Sequence, residues 1–206
     1  MTTQNRTGIR YKLNPTHCSC CSRPLEDPTS VEFGIGPVCR KKYNYEDAYP
    51  IDTATSQKLL TLLQGMGATN VADETMEYVV KDDSRMAART LNIALAVWRK
   101  QNTNREDAMI AVEALTLMGY TLLAGKIGKK LAEVIIEVTE DKRLALTTPY
   151  NEAFVAAVRN IQGRKWDGDN KVWTVPTKAK QAVWEALKAS YPGSLGHGPQ
   201  GMFLVA

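Results

Sequence analysis

Three cysteines stand within four positions, Cys18, Cys20 and Cys21, and a fourth follows at Cys39 in the stretch HCSCCSRPLEDPTSVEFGIGPVCRKKY. Cys18 and Cys21 form a C-x2-C pair, the spacing at which two thiolates of one tight knuckle converge on a tetrahedral zinc. Gly34-Ile35-Gly36-Pro37 reads as a turn that delivers Cys39 as a third thiolate, with the basic Arg40, Lys41 and Lys42 just after it. The spacing therefore assigns Zn2+ to Cys18, Cys21 and Cys39. His17 is taken with them as a fourth donor, and Cys20, a distant side chain or water remain alternatives for that position. No HExxH or comparable general-base constellation stands nearby, so the expected role of the metal is structural.

A second group sits near the C-terminus, in TPYNEAFVAAVRNIQGRKWDGDNKVWTVP. Arg164, Lys165 and Lys171 bracket Trp166 and Trp173. Cationic side chains neutralise phosphates, and an indole offers a stacking face worth about 1–3 kcal/mol per base on a single strand. The expected nucleic-acid-binding set is Arg164, Lys165, Trp166 and Lys171, with Trp173 assigned to the core. Asp167 and Asp169 read as turn residues. The sequence holds no P-loop, no helicase motif and no paired-carboxylate nuclease signature, and His17 and His197 are its only histidines. The expectation is a protein without a catalytic constellation.

The elements that must position these residues have three textures. Residues 1–50 are rich in turn-formers and cysteine and lack a long periodic run, the pattern of a small metal-stapled module. Residues 51–131 are predicted helical: Leu59 and Leu63 stop at Gly65, Met76 and Val79 mark a second helix, and Ala88, Leu91, Leu95 and Trp98 a third. Asn104 is a candidate cap for a fourth, running through Val112 and Leu115. From residue 132 the period shortens. VIIEV (134–138) and RLALT (143–147) read as strands, a helix follows Asn151, Gly168-Asp169-Asn170 turns a second hairpin, and residues 178–189 form a last helix. The order is ββαββα over 132–193, and the tail 194–206 reads as loose, with an apolar end able to pin back onto the body. The predicted class is α+β.

The 206 residues carry a net charge of +4, and no stretch is long and apolar enough to span a membrane. Residues 1–50 contribute +2, residues 51–125 contribute −2 and residues 126–206 contribute +4, which suits polyanion-binding ends on a neutral scaffold. The N-terminal MTTQNRTGIRYKLNP has no apolar core of a secretion signal, so the four cysteines are expected to be reduced, in the cytoplasm.

Two resemblances add to this reading. The pattern C-x2-C-S-R-P-L-x-D-P-x-S-x3-G-I-G-P-x-C (Cys18 to Cys39) resembles a zinc-binding-type domain of phage and actinobacterial proteins, over about 25 residues. The pattern P-Y-N-x2-F, then G-R-K-W-D-x3-K-x-W-x-V-P (Pro149 to Pro176), resembles the HARP-like domain of annealing helicases and their relatives, over about 60 residues. The second resemblance implies engagement of branched or partly single-stranded DNA. Together they imply a non-catalytic nucleic-acid-binding accessory protein, phage-encoded and acting in the host cytoplasm, with Zn2+ as its metal and DNA or RNA as its partner. The alternative is a protein–protein adaptor or inhibitor of a host nucleic-acid machine, docking through the helical middle. No membrane partner is expected.

Overall fold

The computed structural model describes residues 10, 12–101 and 105–206. The proposed Asn104 cap and the first nine residues lie outside the described residues. The chain divides into two compact units, Met1–Lys130 and Leu131–Ala206. The first is helical, and the second is built on a six-stranded sheet.

In the first unit the cysteine-bearing stretch folds into two short helices, α1 (Pro28–Phe33) and α2 (Pro37–Lys42). Each begins with proline at its first turn, where the missing N–H costs nothing and the fixed φ suits the helix. Asp27 caps α1 by accepting from the Ser30 N–H at 3.0 Å, and Gly34 closes it with φ +65°. The D-P-x-S and G-P segments are thus two helix-start signals in succession. Cys39 rides on α2 rather than in a turn, because Pro37 begins a helix where a turn was expected.

Five longer helices follow: α3 (Thr53–Gln64), α4 (Thr69–Val80), α5 (Ser84–Gln101), α6 (Arg105–Leu117) and α7 (Thr121–Leu131). Leu91, Ala94, Leu95 and Trp98 recur at helical spacing on α5 and are buried. Helix α5 packs against α1, α4 and α6, making it the spine of the unit. It also holds the cysteine stretch. Asn92 Nδ2 donates to the Phe33 carbonyl at 2.6 Å, and Arg99 Nη1 donates to the Ser19 carbonyl at 2.6 Å. Gly34 lies so close to α5 that a Cβ there would come within 3.2 Å of Ile93 Cα.

One buried acid organises the far end of this unit. The Asp107 carboxylate accepts from the Gly67 N–H at 2.7 Å and from the Ala68 N–H at 2.9 Å, closing the turn between α3 and α4 from α6. Both are charge-assisted bonds, and the second satisfies an N–H on the fully buried Ala68. Asp107→Ala is expected to destabilise the unit by about 2–4 kcal/mol, measured as a shift of the urea midpoint followed by helical circular dichroism. A loss below about 1 kcal/mol would show that water replaces the carboxylate.

The second unit follows the predicted order through β1 (Val134–Val138), β2 (Arg143–Thr147), α8 (Glu152–Arg159), β3 (Lys165–Asp167), β4 (Val172–Pro176) and α9 (Lys180–Ser190). The expected loose tail is a correction: it forms β5 (Leu195–Gly198) and β6 (Gly201–Leu204). The sheet order is β3-β4-β2-β1-β5-β6, with β5 parallel to β1 and the remaining pairs antiparallel. Helices α8 and α9 cover one face. Phe154, Val158, Val183 and Leu187 meet Val134, Leu146 and Val175 from the strands, and Val205 from beyond β6 joins them. Gly196 is required here, because a Cβ on it would fall 2.3 Å from the Phe203 ring, which stacks edgewise on Trp184.

The charge also distributes differently from the sequence division. Leu131–Ala206 holds nine basic and eight acidic side chains, a net +1. Lys126, Lys129 and Lys130, which made the C-terminal segment look basic, belong to α7 in the first unit. Lys129 and Lys130 occupy its last turn, where the helix dipole favours cations. Among the described residues, no helix is long and apolar enough to cross a membrane.

Candidate metal centre and candidate nucleic-acid interface

The cysteines are positioned by a tight loop closed at its base. Cys18 N–H donates to the Arg23 carbonyl at 2.9 Å, Ser22 N–H donates to the Cys18 carbonyl at 3.0 Å, and Ser22 takes the left-handed φ of +66°. Ser19 N–H donates to the Gly34 carbonyl at 3.0 Å, which ties this loop to the segment between α1 and α2. Loop and helix then bring together the sulfurs of Cys18, Cys20 and Cys39, all within 4.8 Å of one another and all buried. A tetrahedral zinc with Zn–S bonds of ~2.3 Å spaces its sulfurs about 3.8 Å apart, so the three can hold a metal ion.

This cluster differs from the one expected from spacing. Cys20, assigned as the extra thiol, is the most deeply buried of the four at 0% exposure. Cys21 is exposed, at the rim. Closure of the loop between residues 18 and 22 turns the third residue of the knuckle, Cys20, inward and the fourth, Cys21, outward. His17 does not join the cluster. It pairs in a short bridge with Pro24, and its Nδ1 lies 2.9 Å from Thr16 Oγ1. Neighbours in extended chain point to opposite sides, so a ring at 17 leaves the side that Cys18 faces.

The thiols share protons as ligands awaiting a cation do. The hydrogen bond from the Cys20 thiol holds Cys18 down to about 4, against the opposing effect of burial, with help from the backbone N–H groups of Cys21, Gly36 and Cys20. The same bond, with burial, raises Cys20. Burial first, then the charge of Cys18, pushes Cys39 up to about 12. Three buried sulfurs are a soft donor set of the kind that thiophilic cations bind.

In the second unit, β3 lies at the edge of the sheet, and its residues Lys165, Trp166 and Asp167 are all exposed. Trp166 pairs directly with Trp173 across the hairpin, ring centroids 4.9 Å apart and tilted by 44°. The turn is built by Asp167, whose carboxylate accepts from the Asp169 N–H, the Asn170 N–H and Asn170 Nδ2 at 3.1, 3.0 and 2.8 Å. Arg143, from β2, donates to the Gly163 carbonyl at 2.6 Å and to the Thr174 carbonyl at 3.1 Å, fixing the chain just before Arg164. The structure thus gathers Arg164, Lys165, Trp166 and Lys171 on one hairpin, with all four side chains exposed.

Two features of this surface escaped the sequence reading. Trp173 is half-buried: it packs on the core below and braces Trp166 above, so it is both core and surface. Tyr150 was seen only as part of a motif, yet it stands 85% exposed beside the hairpin. Thr148, Pro149, Tyr150, Val155, Trp166 and Trp173, with Gly168 and Lys171, line a groove of about 280 Å³. The only signal for Tyr150 in the sequence was its place between Pro149 and the Asn151 cap, where the chain must turn outward before α8.

A family of unknown function, DUF6011, matches residues 8–44, the stretch that carries all four cysteines and helices α1 and α2. None of the curated proteins compared with the chain matches it, and neither does any solved structure.

Proposed function

We propose that the protein is a non-catalytic nucleic-acid-binding accessory protein with a zinc-stapled N-terminal module. The observation that carries the reading is the edge hairpin of the second unit, where the half-exposed Trp166 stands among the exposed cations Arg164, Lys165 and Lys171. An edge strand normally hides its apolar side chains. A large indole left 51% exposed in a well-braced position is better suited to a ligand than to packing. The ββαββα order and the G-R-K-W-D-x3-K-x-W spacing are those of the HARP-like domain this segment resembles. DNA, branched or single-stranded, is accordingly the favoured partner, with RNA as the variant of the same reading.

Zinc is the metal this reading assigns to Cys18, Cys20 and Cys39, supported by the all-sulfur donor set. When bound it would supply rigidity rather than chemistry, holding the loop of residues 18–23 against α2. The chain's own residues do the binding, and any role in strand annealing, replication or repair is passive.

The unit carries a net charge of only +1, so the salt dependence should be shallow. Electrophoretic binding to a labelled oligonucleotide is expected to weaken with salt at a slope near that of two to three phosphate contacts. Arg164→Ala combined with Lys165→Ala should lower affinity about tenfold at low salt and flatten that slope. Absence of binding to any DNA or RNA form at low salt would sink the reading. It would favour a protein adaptor, for which the groove of about 540 Å³ between α3 and α6, lined by Gln57, Thr61, Leu62 and Leu117, offers a docking face.

A further inference from the structure

The geometry points to the groove formed by Tyr150, Trp166 and Trp173 as a receptor for one unstacked base of a single-stranded nucleic acid, with Lys171 beside it for the adjoining phosphate. This inference rests on the nucleic-acid reading of the hairpin and deepens it, naming the form of nucleic acid that the site selects.

One side of Trp166 is occupied by Trp173, so its position is held from behind while its exposed side faces the groove. Val155 and Pro149 supply apolar walls, and Tyr150 provides a second exposed aromatic ring on the opposite segment. The volume of about 280 Å³ falls just below the ≈ 300–1,000 Å³ of pockets that enclose a whole drug-sized ligand. It is sized for a single ring system rather than for a stretch of duplex.

A base within a helix has both faces covered by its neighbours and has none free to stack on Trp166 or Tyr150. An unpaired base does, and every base has a π-face, so the site would tolerate any sequence.

Charge selects the occupant. Lys171 lines the groove and, with φ +55°, lies where the hairpin turns back, while Arg164 and Lys165 precede Trp166 along the same hairpin. The acids in the neighbourhood are Asp167, Asp169 and Glu152. Asp167 is committed to the turn by three hydrogen bonds. With so small a cationic excess, stacking rather than charge should carry discrimination. An extended proline-rich peptide is the other ligand that aromatic grooves accept. It has no need of three cations, and the hairpin presents them.

The test uses the full-length protein and fluorescence anisotropy with three labelled probes: a thymidine oligomer of about twelve nucleotides, the same strand in a blunt duplex, and a proline-rich peptide. The single strand should bind at least tenfold more tightly than the duplex and should quench tryptophan emission. Tyr150→Ala, at an exposed position whose loss cannot unfold the unit, should weaken the single strand about tenfold, leave the duplex unchanged and be rescued by Tyr150→Phe.

Equal affinity for single strand and duplex, or single-strand binding indifferent to Tyr150→Ala, would overturn the base-receptor assignment. If Arg164→Ala with Lys165→Ala still weakened both probes, the hairpin would remain a nucleic-acid surface. Failure of every nucleic-acid probe would remove both. Peptide binding that depends on Tyr150, without single-strand binding, would reassign the groove to a protein partner.

Discussion

Cys20→Ser is expected to strip the metal from the protein, whereas Cys21→Ser should leave it bound. Cys20 lies inside the group of three buried sulfurs, and Cys21 lies at its exposed rim. Loss of even an outer-shell partner costs ~10–100-fold in metal affinity, so loss of a buried thiolate should cost at least ~100-fold. The consequence reaches beyond the loop. Ser19 is held by Arg99, and Phe33 by Asn92, so release of the loop should also loosen the C-terminal turns of α5.

Metal content by elemental analysis and amide exchange over residues 16–45 and 88–99 would show both effects. Full metal in Cys20→Ser, with loss in Cys21→Ser, would restore the C-x2-C assignment. The pH dependence has a definite sign. Protons on Cys20 and Cys39, both raised, compete with the cation, while Cys18, lowered to about 4, is already ionised at neutral pH. Uptake should therefore release about two protons per ion, and affinity should rise with pH through neutrality. Calorimetry in buffers of different ionisation enthalpy measures this directly.

The same residues show what a linear reading can reach. C-x2-C spacing points to a cysteine knuckle, and a cluster that could hold a metal ion is there, but it joins Cys18 to Cys20 and Cys39 rather than to Cys21. Which cysteine turns inward is decided elsewhere, by Ser19 bonding to Gly34 and by Arg99 reaching Ser19 from eighty residues away. No local pattern encodes that.

The contrast recurs in the second unit. β1, β2, the Asn151 cap and the Asp167 turn follow from alternation, capping and turn chemistry within a few residues. The groove is assembled from three segments, the approach to α8, α8 itself and the second hairpin, so no one segment shows that Tyr150 lines it. Charge along the chain follows the same rule. A boundary drawn by composition placed three lysines of α7 with the sheet, and a helix that ends in lysine serves its own dipole first.

Truncation after Gly193 should abolish the cooperative fold of the second unit, although LGHGPQGMFLVA has the composition of a dispensable end. Leu195–Gly198 contains two glycines and no apolar alternation, which is why it reads as loose. Its strand character comes from its partners: β5 lies parallel to β1, with Val134 opposite Gly196, and β6 completes the hairpin. Deleting residues 194–206 removes Leu195 and Val205 from burial at 3% and 0%, withdraws Phe203 from Trp184, and opens one edge of β1 next to the fully buried Val134.

The lost apolar burial is on the order of 5 kcal/mol, comparable to the whole stability of a small domain. Val205→Asp should act similarly without shortening the chain, because it places a carboxylate where no partner can reach it. The readout is the thermal transition followed through the coupled circular dichroism of the Trp166–Trp173 pair, whose rings hold a fixed 44° tilt only while the sheet is intact. A truncated protein that kept this signal and melted within a few degrees of the full chain would show that β1 needs no partner on that side. The core of α8, α9 and four strands would then be the complete folding unit.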